Sequence, residues 1–286
     1  MSQPALSQQI AKLEKELGQP LFERQGRSIE LTAAGLVLQQ KAETILQLVE
    51  DAKREITDDG MTGRISLSGI PTIAPYLIPS LLKEVGEQFP HASFVVNEDS
   101  TESLLKRCAA GDIDIGLIAL PADAKYLTIE PLFDEELVLA MPADHPLATR
   151  PRITREDIQR EPMMMGESQC RFEETDQFCP SKNIQFVSAC RIDQLATVQQ
   201  LVAHGHGLAL IPRMAIRDSE GDRLQYRSIA GDPPMRTIAL CHNPYRYQSQ
   251  LLVNFLKGIR EILGTDFSEI VPSRKLDSRR TASRMC

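Results

Sequence analysis

With 286 residues, 42% apolar and 25% charged, the chain has the length for two domains and the composition of an ordinary core-forming protein. No apolar run reaches the ~18 residues of a membrane span, and no basic-then-apolar leader opens the chain, so the expectation is a cytoplasmic protein with no membrane partner. A net charge of −7 excludes a global attraction to nucleic acid, and any DNA contact has to come from a local surface.

The opening stretch SQPALSQQIAKLEKELG places Leu6, Ile10, Leu13 and Leu17 on one apolar stripe, which predicts a helix. Ser2 suits its N-cap, Pro4 its first turn, and Gly18 its end. Ser2, Gln3, Ser7, Gln8 and Lys12 lie on the opposite face, with short hydrogen-bonding side chains that can reach base edges and phosphates. PLFERQGRSIELT then reads as two short strands around a turn at Gln25 and Gly26, flanked by Arg24 and Arg27.

Thr32 caps a long helix over residues 33 to 57, where Leu38, Ala42, Ile45, Val49, Ala52 and Ile56 alternate at spacings of four and three. That seam points to a dimer; the alternative is an amphipathic helix packed on its own domain. After the linker ITDDGMTGR come a strand at 64 to 70, a helix over 76 to 89, the strand SFVVNED, a helix over 101 to 110 and the strand DIDIGLIAL. A strand over 131 to 141 and a short helix in HPLATRPRITREDIQ follow. Beyond them come the strand IQFVSA, a helix over 193 to 204, the strand GLALIP and a last helix over 248 to 263. This alternation predicts an α/β fold with a parallel sheet. The final SRKLDSRRTASRMC is basic, poor in apolar residues and reads as a disordered tail.

Six cysteines, Cys108, Cys170, Cys179, Cys190, Cys241 and Cys286, include no CxxC pair and no histidine at zinc-finger spacing. A structural metal site is therefore not expected. His204 and His206 flank Gly205 at a tight helix-to-strand turn, and Asp112 and Asp114 occupy another, so both pairs read as structural. No nucleophile is paired with a base and no phosphate loop is present, so neither an enzyme nor a cofactor is expected.

SQPALSQQIAKLEKELGQPLFERQGRSIELTAAG resembles the recognition helix, wing and start of the linker helix of LysR-type transcriptional regulators. ISLSGIPTIAPYLIPSLL, LLKRCAAGDIDIGLIA, LVLAMPADHPLA and LVAHGHGLALIPRMA resemble that family's effector-binding region. The resemblance implies a partial winged helix-turn-helix over 1–34 and a linker and dimerisation helix over 35–61. A two-lobed, periplasmic-binding-protein-like effector domain would follow over 62–264, with lobe I at 62–138 and 242–264, lobe II at 139–241, and the tail at 265–286. It further implies binding to double-stranded DNA as a homodimer or homotetramer. Ser2, Gln3, Pro4, Ser7 and Gln8 would face bases, with Lys12 on the same helix, while Arg24 and Arg27 neutralise phosphates. Family members carry two more helices ahead of the recognition helix, packed on Leu6, Ile10 and Leu13. Each buried leucine contributes about 1.5–3 kcal/mol, so a start codon further upstream is expected.

Within the family, QCRFEETDQFCP and GIPTIAPYLIP are similar to the peroxide-sensing OxyR subfamily, whose two cysteines share the spacing of Cys170 and Cys179. The resemblance implies an activator of peroxide-inducible genes. Cys170 would be the peroxidatic thiol and Cys179 the resolving one, with Thr72 and Thr101 holding the peroxide. Where the subfamily has histidine before the first cysteine this chain has Gln169; a basic residue two positions after it is Phe172, and a later histidine is Ala189. Cys190, beside Ala189, is an alternative resolving partner. Three other readings stay open: incidental loop thiols, a regulator taking a small organic effector near Thr72 and Thr101, and an effector-binding module without DNA binding. Cys108 and Cys241 read as core residues, and Cys286 as exposed in the tail.

Overall fold

A computed structural model of the chain describes residues 3–25, 28–57, 60–159, 161–164, 194–216 and 223–263. The chain divides into two compact units, residues 1–57 and 58–286.

In the first unit α1 spans Gln3–Leu17 and ends at Gly18, whose φ of +67° is the left-handed conformation that glycine adopts without strain. β1 (Phe22–Gln25) and β2 (Ser28–Leu31) pair antiparallel, Phe22 opposite Leu31 and Gln25 opposite Ser28. Gln25, read from the sequence as a turn residue, closes the first strand. The Glu14 carboxylate accepts the Leu21 N–H at 2.8 Å and so ties α1 to the start of the hairpin. α2 covers Ala33–Thr57, and Thr32 caps it as expected: its hydroxyl accepts the Gly35 N–H at 3.0 Å and donates to the Pro20 carbonyl at 2.6 Å. The apolar stripe of α1 is open, with Leu6, Leu13 and Leu17 exposed, and so are Ile45, Val49 and Ile56 of the α2 seam.

The second unit holds a seven-stranded sheet of β3 (Gly63–Gly69), β4 (Ala92–Glu98), β5 (Ile115–Ala119), β6 (Thr128–Pro142), β7 (Ala209–Pro212), β8 (Leu224–Arg227) and β9 (Met235–His242). The order is β4-β3-β5-β9-β6-β7, with β8 also on β6. Among the described strands, only β3 with β4 and β3 with β5 are parallel pairs; every described pairing of β6 and β9 is antiparallel. The sheet is thus mixed where the sequence suggested parallel. β9 comes back from the distal part of the unit and inserts between β5 and β6 running against both. β8 has no counterpart in the sequence reading, and the strand IQFVSA and the basic tail lie outside the described residues.

Helix α3 spans Ala74–Glu84 and stops short of the expected Phe89, giving way to a 3₁₀ turn at Gly86–Gln88. α4 is Thr101–Ala110, N-capped by Ser100 and ended by Gly111 at φ +85°. α5 (Arg155–Ile158), α6 (Leu195–Ala203) and α7 (Gln250–Leu263) complete the unit's described helices. One core joins α3, α4 and α7 to β3, β5 and β9, through Leu67, Leu77, Leu104, Leu117, Leu240 and Phe255 among others. β6 leaves this core and enters two smaller ones on opposite faces of its distal half. Leu137, Leu139 and Met141 point into one, and Val138 and Ala140 into the other, as the two-residue period of a strand requires. Covered on both faces, the run LVLAM is apolar throughout.

A methyl group added at Gly116 on β5 would press on both the Leu104 side chain and the Cys241 sulfur. Gly116→Ala should therefore lower unfolding stability by about 1–3 kcal/mol through overpacking, measured as a fall in the urea midpoint at unchanged slope.

Candidate functional site

β6 pairs with β9 as far as Glu136 opposite Met235, and with β7 from Leu137 opposite Pro212. Glu135 and Glu136 stand at this change of partner, and alternation sends their side chains to opposite faces. Glu135 is 3% exposed. Its Oε2 accepts Arg236 Nε at 2.8 Å, and its Oε1 accepts the Met214 backbone N–H at 2.6 Å. Arg236, on β9, is 1% exposed and also reaches Thr72: one terminal nitrogen donates to its hydroxyl at 2.8 Å, the other to its carbonyl at 3.1 Å. Glu136 takes Arg213 at 2.8 Å on Oε2, while its buried Oε1 has no hydrogen-bond partner among the described residues.

Thr72 follows β3 and Thr101 opens α4 after β4. Gly69 and Glu98, which end these strands, are paired in parallel register. Both threonines therefore lie at one carboxyl edge of the sheet, where open α/β sheets take their ligands. Thr72 is buried and Thr101 half-buried. The Thr72 oxygen accepts from a guanidinium, which leaves its own proton to be donated elsewhere.

On α1, Gln3, Pro4, Ser7, Gln8 and Lys12 are all exposed, and the Ser7 hydroxyl donates back to the Gln3 carbonyl at 3.1 Å. Arg24 lies in β1, with its side chain outside the description, and Ser2 and Arg27 lie outside the described residues. So do Cys170, Cys179, Cys190 and Cys286. Cys108 on α4 and Cys241 on β9 are fully buried free thiols, as read from the sequence. They also meet: hydrogen bonding with Cys108, and then burial, push the Cys241 thiol well above its ordinary range. Among the described residues no group of three or more His, Cys, Asp or Glu could hold a metal ion, and no helix is long and apolar enough to cross a membrane.

The sequence reading missed Glu135, Arg236, Arg213 and Gln199. A charged pair in an otherwise apolar strand run, EELVLAM, was the available signal for the first. Gln199 sits 1% exposed in α6, donating to the Ala215 carbonyl at 3.0 Å and to the Tyr226 hydroxyl at 3.1 Å.

Residues 58–264 match the LysR substrate binding domain, and residues 1–36 match the bacterial regulatory helix-turn-helix protein of the lysR family. The chain belongs to the LysR family of transcriptional regulators, with a helix-turn-helix segment at its N-terminus followed by a two-lobed regulatory region. It is 35% identical over 248 residues to a hydrogen peroxide-inducible genes activator of Pectobacterium carotovorum, covering 85% of this chain and 82% of the relative. It is 34% identical to the DNA-binding transcriptional dual regulator OxyR of Escherichia coli, covering 85% and 81%. Among solved structures, a full-length cysteine-to-aspartate OxyR variant from Pseudomonas aeruginosa superimposes with a TM-score of 0.71 at 26% identity, covering 91% of this chain and 89% of that one. A cysteine-to-serine variant of Corynebacterium glutamicum OxyR with H₂O₂ bound gives 0.65 at 29%, covering 95% and 87%.

Both thiols are fully buried, and the Cys241 thiol is also pushed well above its ordinary range, so iodoacetamide at pH 8 should label neither cysteine in the native protein and both in urea. Peptide mass mapping of the two samples measures this directly.

Proposed function

We propose that this LysR-family regulator is a hydrogen-peroxide-inducible activator switched by oxidation of Cys170, with Cys179 or Cys190 as the resolving thiol. The observation that carries the reading is Thr72, a buried hydroxyl at the carboxyl edge of the sheet. Arg236 donates to its oxygen, so its own proton would be donated to a ligand. The extended similarity to peroxide-inducible activators supports it. Thr101, at the same edge, is the second candidate for holding peroxide. The Cys170 thiolate would attack one peroxide oxygen, breaking the O–O bond to leave a sulfenic acid and hydroxide. The resolving thiol would then displace the hydroxyl as water and close the disulfide.

In the same reading, residues 1–34 contact DNA, 35–61 link and dimerise, and 62–264 receive the signal, in a dimer or tetramer. The exposed apolar seam of α2 supports the dimer. Gln3 and Gln8 would read bases and Lys12 a phosphate. A small organic effector is the second reading, favoured by Glu136 Oε1, a buried acceptor without a hydrogen-bond partner among the described residues that a hydroxyl or ammonium group would satisfy.

On addition of micromolar peroxide the protein should lose two titratable thiols per chain, and a disulfide map should join Cys170 to Cys179 or Cys190. An unchanged thiol count rejects the redox reading. Thr72→Val should slow this oxidation roughly tenfold, the effect of one lost hydrogen bond of about 1.4 kcal/mol, followed by stopped-flow thiol titration. In a DNA gel-shift series, Lys12→Ala should weaken all sequences alike and lower the salt slope by about 1, whereas Gln8→Ala should cost about 1–3 kcal/mol on the preferred site alone.

A further inference from the structure

We infer that Glu135 is a positioning residue that couples the Thr72 loop to the distal lobe, so that events at Thr72 are read at the 3₁₀ turn Arg213–Ala215. The inference deepens the proposed function and takes from it the role of Thr72 in holding the ligand.

The two oxygens of Glu135 serve two different bodies. Oε2 holds Arg236, whose forked nitrogens grip the Thr72 hydroxyl and carbonyl in the loop before α3. Oε1 holds the N–H of Met214 in the turn after β7, a strand of the distal cores. Met214 strengthens the link a second way: its side chain is buried in the first core, although its neighbour Ala215 belongs to a distal one. From Ala215 the connection continues to α6, because Gln199 donates to the Ala215 carbonyl. Thr72, Arg236, Glu135, Met214, Ala215 and Gln199 thus form one buried path whose hydrogen bonds are all 3.1 Å or shorter. α6 begins only a few residues after Cys190.

An ion pair kept merely for stability has no need of this arrangement, since apolar residues of similar volume do as well in most buried settings. What the carboxylate adds is geometry: with both oxygens engaged by fixed donors, Arg236 cannot shift on Thr72 without moving the bond to Met214. A carboxamide cannot reproduce this, because it accepts on one atom and donates on the other. The path is a statement about energetic coupling, and coupling is what has to be measured.

Amide hydrogen exchange supplies the test, since it needs no peroxide. In the full chain, Thr72→Val removes the hydroxyl but keeps the shape. Exchange over residues 213–216 should quicken at least about twofold, the lower end of coupling between contacting residues, and return with Thr72→Ser. Glu135→Gln should quicken the same amides and abolish any further effect of Thr72→Val. If Glu135→Gln does not fold, Arg236→Lys takes its place, keeping the charge and losing the fork. The inference is overturned if Thr72→Val leaves 213–216 unchanged, or if its effect persists in full when Glu135 or Arg236 is replaced. A wild-type protein inert to peroxide would reject the proposed sensor while leaving this exchange result to stand by itself.

Discussion

The second unit is organised around one buried carboxylate–guanidinium pair, Glu135 with Arg236, set where β6 changes partner from β9 to β7. Removing two such ions from water costs several kcal/mol each, and the cost is recovered only when every lone pair and proton is met in good geometry. Here the Glu135 oxygens and the forked nitrogens of Arg236 meet a backbone N–H, a hydroxyl, a carbonyl and each other. Satisfying them fixes three chain segments at once: the loop after β3, the turn after β7, and the β6–β9 ladder. The lobes are therefore held in register by polar geometry at a point where the sheet itself has no continuous partner strand.

Alternation along β6 extends that constraint outward. Because Glu135 and Glu136 face opposite sides, each face of the changeover has its own arginine, Arg236 on one and Arg213 on the other. One residue further the same alternation distributes Leu137 and Val138 to two separate cores. A slip of one residue in β6 would exchange the two ion pairs and the two cores together, so the register is over-determined. The orphaned oxygen of Glu136 is the one unsatisfied group in this arrangement among the described residues.

How much of this was legible in the sequence follows the range of the interactions. α1, the hairpin, the Thr32 cap and α2 depend on spacings within a few residues, and the periodicity gave them closely. The helix after β3 ends before Phe89 although Val85 and Phe89 keep the apolar pattern going, because periodicity does not distinguish a 3₁₀ turn from a continuing helix. The direction of β9 was not readable, since strand alternation is the same whichever way the strand runs. Nor was the Glu135–Arg236 pair, whose members are 101 residues apart, or the meeting of Cys108 with Cys241, 133 residues apart. Thr72 and Thr101 were reached through a family pattern, and their common edge follows from the parallel pairing of β3 with β4.

The same pair separates two tasks that a peroxide sensor has to perform. Glu135 neutralises Arg236, so the guanidinium offers Thr72 direction more than positive potential. In the proposed sensor Thr72 would orient a peroxide oxygen by donating a hydrogen bond to it, a task that depends on geometry and not on a net cation. Activation of the thiol is a different matter, because the reacting species is the thiolate and its population depends on nearby charge. In the proposed sensor that charge would come from the segment around Cys170. There Arg171 stands among Glu167, Glu173, Glu174 and Asp176, and Gln169 and Phe172 replace the subfamily's basic residues. With thiolate support reduced, a smaller fraction of Cys170 would be reactive at any moment, which would slow its oxidation. The threshold of such a sensor would then be tuned in the cysteine loop, while the Glu135 hub would transmit the outcome.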